Sequence, residues 1–246
     1  MKLINVQSIS KQYQDEFLSL QDLSFSVNEG AFVSIVGPFG CGKSTLLETI
    51  SGINEDYSGI IQIKGQSPKE ARLSRRIGYV FQKPVLLPWK NVVQNIILPQ
   101  QIAGLKDEKK AYALLDIIGL RSIAKKMPYE LSGGMKQMVS VARSLILDPD
   151  IFLLDEPFSS IDEISRTNIH LNLLKIHQKT NKTMLLVTHS ISEAVFLSDK
   201  IIVLTPRPGR VKKIIDIHLA NREANTIFSE KFIAYVQAVK KELDNE

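Results

Sequence analysis

Thiols are almost missing from this sequence. One cysteine, Cys41, stands among 246 residues, so no disulfide can form within the chain, which fits a reducing compartment. Long apolar runs are missing too. A bilayer span needs about 18–20 apolar residues, and the best stretches, 151–154 and 201–204, are strand-sized. The opening Met1-Lys2-Leu3-Ile4-Asn5 meets polar residues before a secretory apolar core could form, so the chain is expected to stay in the cytoplasm. Neither internal repeats, low-complexity tracts nor a Gly/Ser linker are visible, which excludes a string of beads. Charge of one sign is scarce as well. Lys and Arg number 31 against 26 Asp and Glu, a net +5 that is too small to demand nucleic acid. The densest basic stretch, residues 64–76 with Lys64, Lys69, Arg72, Arg75 and Arg76 against Glu70, reads as a solvated face. What remains is ordinary: 44% apolar and 23% charged residues. At roughly 100–200 residues per domain this is one large domain, or one core with a smaller insertion, able to bury a core unaided.

Patterning divides the chain. Residues 1–30 alternate in short runs (Leu3, Asn5, Val6; Leu23, Phe25, Val27) like half-buried antiparallel strands, and residues 60–63 add another. Residues 31–36 form a β-rich run entering a Gly-rich turn, followed by a helix over 43–50 that stops at Gly52. Pro84, Pro88 and Pro99 break residues 83–100 into extended pieces. Helical spacing then appears at Ala111, Leu114, Leu115 and Ile118, and across 135–147. Residues 151–154 and 184–187 are continuous apolar runs, as in strands covered on both faces, with a crossover helix over 161–178 between them. Strand, helix, strand in that order predicts an α/β fold with a parallel sheet. Phe228, Phe232, Val236, Val239 and Leu243 give the tail an amphipathic stripe that should pack on the body.

Three segments carry chemistry. Gly37-Pro38-Phe39-Gly40-Cys41-Gly42-Lys43-Ser44 satisfies G-x-x-x-x-G-K-[ST] between a strand and a helix. Its glycines let the backbone turn N–H groups on phosphate oxygens, and the helix start adds a positive dipole end. Lys43 is placed to reach the β- and γ-phosphates of ATP and Ser44 to ligate Mg²⁺, with Thr45 next in the nucleotide-binding loop. Asp155 and Glu156 follow a buried strand, at the rim where such sheets bind ligands; Asp155 can hold the second Mg²⁺ contact and Glu156 can polarise an attacking water. Leu131-Ser132-Gly133-Gly134-Met135-Lys136-Gln137 opens a helix with Ser132 as N-cap and two bare glycines, Gly133 and Gly134, which make a second anion site.

Together with Gln82, residues 159–162 and His189, these segments resemble, in order and spacing, the ATP-binding cassette (ABC) ATPases, over about residues 1–215. The resemblance implies a RecA-like P-loop core, an N-terminal antiparallel β subdomain and an inserted helical subdomain. The expected boundaries are 1–85 and 146–215 for the nucleotide-binding core, 86–145 for the helical insertion and 216–246 for a helical tail. It also implies a head-to-tail homodimer in which each ATP lies between one copy's phosphate loop and the other's Ser132, Gly133 and Gly134. On the same ground Gln82 is the lid residue sensing Mg²⁺ and water, His189 the switch at the γ-phosphate and Asp162 the residue that reports across the dimer. Tyr13 is either the aromatic that stacks on adenine or a core aromatic. Residues 190–193 (Ser-Ile-Ser-Glu) have the spacing of a capping box behind His189. Three departures stand out: Met135 where the family usually has Gln, Phe39 where it has a small residue, and Ser160-Ile161 in place of Ala-Leu.

The stretch between Lys43 and Ser132 leaves room for a small helical subdomain only, with no sustained heptads, unlike chromosome-repair relatives. One cassette and no membrane span imply separate permease subunits, an extracytoplasmic solute-binding protein reached through them, and a peripheral place on the cytoplasmic face of the membrane. Leu86-Leu87-Pro88-Trp89 is either core or the socket for such a permease. That run and Thr205-Pro206-Arg207-Pro208-Gly209-Arg210 resemble the nitrate/sulfonate/taurine importer branch, whose neighbours carry thiamine-precursor pyrimidines; for residues 206–210 a rigid turn with solvated arginines is the alternative. A soluble ATPase acting on DNA or ribosomes and a P-loop metabolite kinase are the competing functions, the kinase disfavoured by the second anion site.

Overall fold

The computed structural model describes residues 1–13, 17–105, 107–159 and 161–244. The chain opens with β1 (Lys2–Gln12) and β2 (Leu18–Asn28), then β3 (Phe32–Val36), α1 (Lys43–Ile50), β4 (Ser58–Ile63), α2 (Pro68–Leu73) and β5 (Ile77–Val80). A helical stretch follows: α3 (Val92–Ile96), α4 (Leu98–Ile102), α5 (Glu108–Ile117) and α6 (Gly133–Leu145). The chain then returns through β6 (Ile151–Asp155), α7 (Glu163–Thr180), β7 (Thr183–Val187), α8 (Ile191–Leu197), β8 (Lys200–Leu204), β9 (Val211–Asp216) and α9 (Glu230–Asp244).

Two sheets result. One is antiparallel, in the order β2-β1-β4; the other runs β5-β6-β7-β3-β8-β9, parallel except for the β8–β9 pair. The continuous apolar runs have a simple cause. Phe152 and Leu154 of β6, and Met184 and Leu186 of β7, enter one core with the helices, while Ile151, Leu153, Leu185 and Val187 enter another with α1 and the antiparallel sheet. Strands buried on both faces cannot alternate apolar with polar residues. The expected α/β architecture is therefore the observed one: a parallel P-loop core with an antiparallel sheet at the N-terminus and helices inserted between β5 and β6.

The extended reading of residues 83–100 needs correction. Asn91 caps α3 through a reciprocal bond pair with Gln94, and Pro99 lies in the first turn of α4. Proline breaks a helix interior but fits a first turn, where its missing N–H has no partner to lose. Strand β9 was not expected either; it adds an antiparallel edge beyond β8. The tail stripe packs as read at Phe232 and Val239, which are buried, whereas Phe228 is exposed. Among the described residues no helix is long and apolar enough to cross a membrane.

His177, near the end of α7, donates its Nε2 hydrogen to the Gly30 carbonyl at 2.9 Å and meets the Phe32 ring edge-on. Burial pushes its pKa below the ordinary 6.5, against the Gly30 bond and Asp199 that favour the charged form, and with Arg222 opposing it. A depressed histidine contributes stability that is complete above its unfolded pKa and is lost as pH falls below it. His177→Gln, which keeps a donor for Gly30, should therefore lose less Tm than wild type between about pH 7.5 and about pH 5.5. Identical acid losses would assign the effect elsewhere.

Candidate active site

Parallel β3, β6 and β7 end at one rim, and the loops that leave them meet there. From β3 the chain turns through 37–42 into α1, with Gly42 (φ 99°) as its left-handed N-cap. No side chain caps α1 and no acid sits in its first turn, so its first N–H groups are available to an anion. Lys43 is buried, and its ammonium donates to the carbonyls of Gly37 (2.9 Å) and Pro38 (3.0 Å). The floor of a cleft of about 320 Å³ is built from Gly40, Gly42, Lys43, Ser44 and Thr45, with Tyr13, Phe17 and Ser19 on one side and Phe39 and Glu156 also lining it. Tyr13 is exposed and pairs its hydroxyl with that of Thr45 at 3.2 Å, so it is not a core residue.

Asp155 ends β6 with both carboxylate oxygens engaged. Ser44 donates to one at 3.0 Å and Tyr79, on neighbouring β5, to the other at 3.1 Å. Burial raises the Asp155 pKa above 3.8, and the negative charge of Glu156 adds to it, while Ser44, Tyr79 and Lys43 oppose the shift. Burial also raises Glu48 on α1, helped by Asp155, and drives Tyr79 far upward, so that the phenol stays a donor. Negative charge thus exceeds positive charge in a half-dry pocket whose nearest donors are a hydroxyl and carboxylates. Such hard oxygen ligands suit Mg²⁺, and the 3.0 Å between the Ser44 and Asp155 oxygens is about the edge of its octahedron. Among the described residues no group of three or more His, Cys, Asp or Glu is placed to hold a metal ion.

Glu156 follows with φ 41°, a left-handed backbone that a non-glycine residue adopts at a cost of about 1–3 kcal/mol. Its N–H reaches the Val187 carbonyl (2.9 Å), and its carboxylate lies 3.1 Å from Nδ1 of His189, itself beyond the end of β7. Gln82, after β5, donates to the Ser159 hydroxyl (3.2 Å), which donates to the Glu156 carbonyl (3.0 Å). Its amide is thus turned to the loop that leads to Asp162, rather than to the Ser44–Asp155 pair. Asp162 is exposed just before α7, and its carbonyl accepts from Arg166 N–H at 3.1 Å; Ser160 lies outside the described residues.

Ser132 caps α6 by accepting from Met135 N–H at 3.3 Å. None of Ser132, Gly133 and Gly134 lines the cleft of their own chain. Ser132 and Gly133 are open to approach, whereas Gly134 is buried, and a Cβ there would meet Ile169 Cδ1 of α7 at 2.6 Å. Farther along α6, Gln137 donates to the Phe81 carbonyl (3.0 Å), tying this helix to the residue before Gln82. Phe39, Met135 and Trp89 are all exposed.

The capping box behind His189 is only half made. Ser190 accepts from Glu193 N–H (3.3 Å), but the Glu193 carboxylate turns inward to the Thr188 hydroxyl and to Nε2 of buried His170 on α7, the latter at 2.8 Å. Local spacing suggested the box; a histidine elsewhere in the chain outcompetes it. Tyr79 and Phe17 also escaped the sequence reading, although Tyr79 stands one pleat before Phe81 on the strand leading to Gln82. The arginines of 205–210 are exposed yet not merely solvated: Arg207 stacks on Phe17 and Arg210 bonds the Gln21 amide oxygen.

The ABC transporter family profile matches residues 20–159. The taurine import ATP-binding protein TauB of Rhizobium johnstonii is 43% identical over 211 residues, 85% of this chain and 80% of that protein. The aliphatic sulfonates import ATP-binding protein SsuB of Bacillus subtilis is 40% identical over 201 residues, 82% and 78% of the two chains. Among solved structures, cbiO1 of Clostridium perfringens, part of the ABC transporter complex cbiONQ, superposes with a TM-score of 0.81 at 26% identity, covering 94% of this chain and 92% of its own. The ATP-binding cassette MJ0796, seen as a dimer in a post-hydrolysis state with ADP and Pi, gives 0.75 at 28%, covering 88% and 100%.

Two outcomes follow from this geometry. Asp155→Asn removes a buried charge whose cost is fully present at neutral pH, so the ligand-free variant should have a higher Tm than wild type, the gain narrowing as pH falls towards 3.8; an unchanged or lower neutral Tm would contradict the burial cost. Gly134→Ala should change stability in urea unfolding by less than about 1 kcal/mol, because the methyl displaces only the movable Cδ1 end of Ile169 while alanine gains in helix propensity. A larger loss would show that the contact between α6 and α7 cannot give.

Proposed function

This chain belongs to the ABC transporter family of ATP-hydrolysing subunits, and from that membership we propose that it energises a bacterial-type importer for a small sulfonate- or taurine-like anion. The observation that carries the hydrolytic half is the Glu156–His189 pair at the rim beside the phosphate loop. The solute class rests on the import proteins it resembles.

In this reading Lys43 and the first N–H groups of α1 bind the β- and γ-phosphates of ATP, and Tyr13 stacks on adenine. Ser44 and Asp155 would hold Mg²⁺, which would supply charge neutralisation on the phosphates, and Gln82 would join them only after its amide leaves Ser159. Glu156 accepts a proton from water in line with the γ-phosphorus. The new P–O bond forms as the bond to the β-phosphate oxygen breaks, releasing ADP and phosphate. His189 holds the Glu156 carboxylate and faces the γ-phosphate. The strained backbone at Glu156 serves aim, since it turns the side chain out of the sheet towards the cleft.

A second copy completes the site. Ser132 and Gly133 present an exposed helix start, capped only at Met135 N–H, away from their own cleft, which suits an anion held by another copy, and Asp162 is exposed as well. The head-to-tail homodimer so formed would meet permease subunits through the exposed Trp89 and its neighbours 86–88 at the cytoplasmic face of the membrane, with a solute-binding protein on the other side. Functionally, residues 1–85 and 146–215 act as the nucleotide-binding core, 86–145 as the helical arm and 216–246 as the tail. No nucleic acid partner is proposed.

Glu156→Gln should lower ATP turnover about 100-fold or more while ATP-bound dimers accumulate in size-exclusion chromatography. Retained turnover would remove Glu156 from the role of base, and monomers throughout would remove the shared site.

A further inference from the structure

The turn 205–210 is unexplained by phosphate chemistry, yet it is built against the cleft. It is closed on itself, with Thr205 N–H on the Arg210 carbonyl (3.0 Å) and the Thr205 hydroxyl on Pro208 (3.1 Å). Four contacts then fix it in place. Gly209 pairs like a strand with β2, donating to Ser19 O (2.9 Å) and accepting from Gln21 N (3.0 Å). It also lies so close to the phosphate loop that a Cβ would stand 2.2 Å from the Cys41 carbonyl, so no other residue fits. Arg210 bonds Gln21, and the Arg207 guanidinium lies 3.2 Å from the centroid of Phe17.

Phe17 is the link to the cleft. It lines that cleft, Arg207 does not, and the Arg207 guanidinium lies over its ring. Phe17 meets Tyr13 edge-on at 6.2 Å, and its carbonyl accepts from Tyr13 N–H at 2.9 Å. Lys11 lies 5.0 Å above the Tyr13 ring, and Thr45 holds the Tyr13 hydroxyl. A cation behind an aromatic face is worth a fraction of a kcal/mol when exposed and more when dry. Its larger effect here is to restrict further a ring that is only half-buried.

We propose that the turn 205–210 is the rear wall of the nucleobase site, and that Arg207 is a positioning residue that holds Phe17, and through it Tyr13, as a two-ring platform for the purine of ATP. This rests on the cleft being the ATP site. The phosphate half of the ligand makes no use of Arg207, and that separates the two ideas experimentally.

The test titrates the full chain with ATP and with inorganic tripolyphosphate, both with Mg²⁺. Arg207→Ala should weaken ATP binding about 3- to 10-fold and leave tripolyphosphate affinity unchanged. Adding it to Phe17→Ala should cost nothing further, because Arg207 acts through that ring. Unchanged ATP affinity, an equal loss for both ligands, or an additive double variant would each overturn the proposal. Should Arg207→Ala be insoluble, Arg207→Gln carries the same expectations. A wild-type chain that binds neither ligand would instead overturn the assignment of the ATP site.

Discussion

One carboxylate organises the nucleotide end of this molecule. Asp155 is half-buried between the hydroxyls of Ser44 and Tyr79, so a single side chain joins the end of β6 to the start of α1 and to β5. Two donors are enough to hold it in place but not to make its charge comfortable, as its raised pKa records. The site is therefore set, before any ligand arrives, in an arrangement that favours a cation at that point. Position comes from those two contacts, and the electrostatic deficit from burial that they only partly offset.

The two-core sheet makes that arrangement rigid. With both faces of β3, β6 and β7 covered, the strand ends cannot slide or tilt independently, and the loops leaving them inherit a fixed spacing. Glu156 can then be kept in a left-handed backbone that a looser frame would relax. Behind His189, the inward turn of Glu193 onto Thr188 and His170 serves the same end, since it ties the start of α8 to α7 through groups that would be costly to leave unpaired.

Much of this was legible in the sequence, for local reasons. The phosphate loop announces itself because phosphate binding needs glycines at fixed spacing, and buried strands such as β6 and β7 need unbroken apolar runs. What escaped depended on distant partners or on position within an element. Pro99 reads as a breaker until its place in a first turn is known. Glu193 has the spacing of a capping residue, and only the fold brings His170 to it. Arg210 and Gln21 stand 189 positions apart, so residues 205–210 look like a free surface turn until Gly209 is seen paired to β2. Gly134 looks like a bare helix start, while in the fold it is buried against Ile169 of α7.

The bond from Gln137 to the Phe81 carbonyl has a mechanical meaning. It fastens the rod that begins at Ser132 to the segment that ends at Gln82, two stretches that would attend to different nucleotides in the proposed pairing of copies. In that pairing a pull on either one would displace the other by gearing rather than by diffusion of strain. News of what occupies one pocket would thereby become movement at its twin inside a single chain.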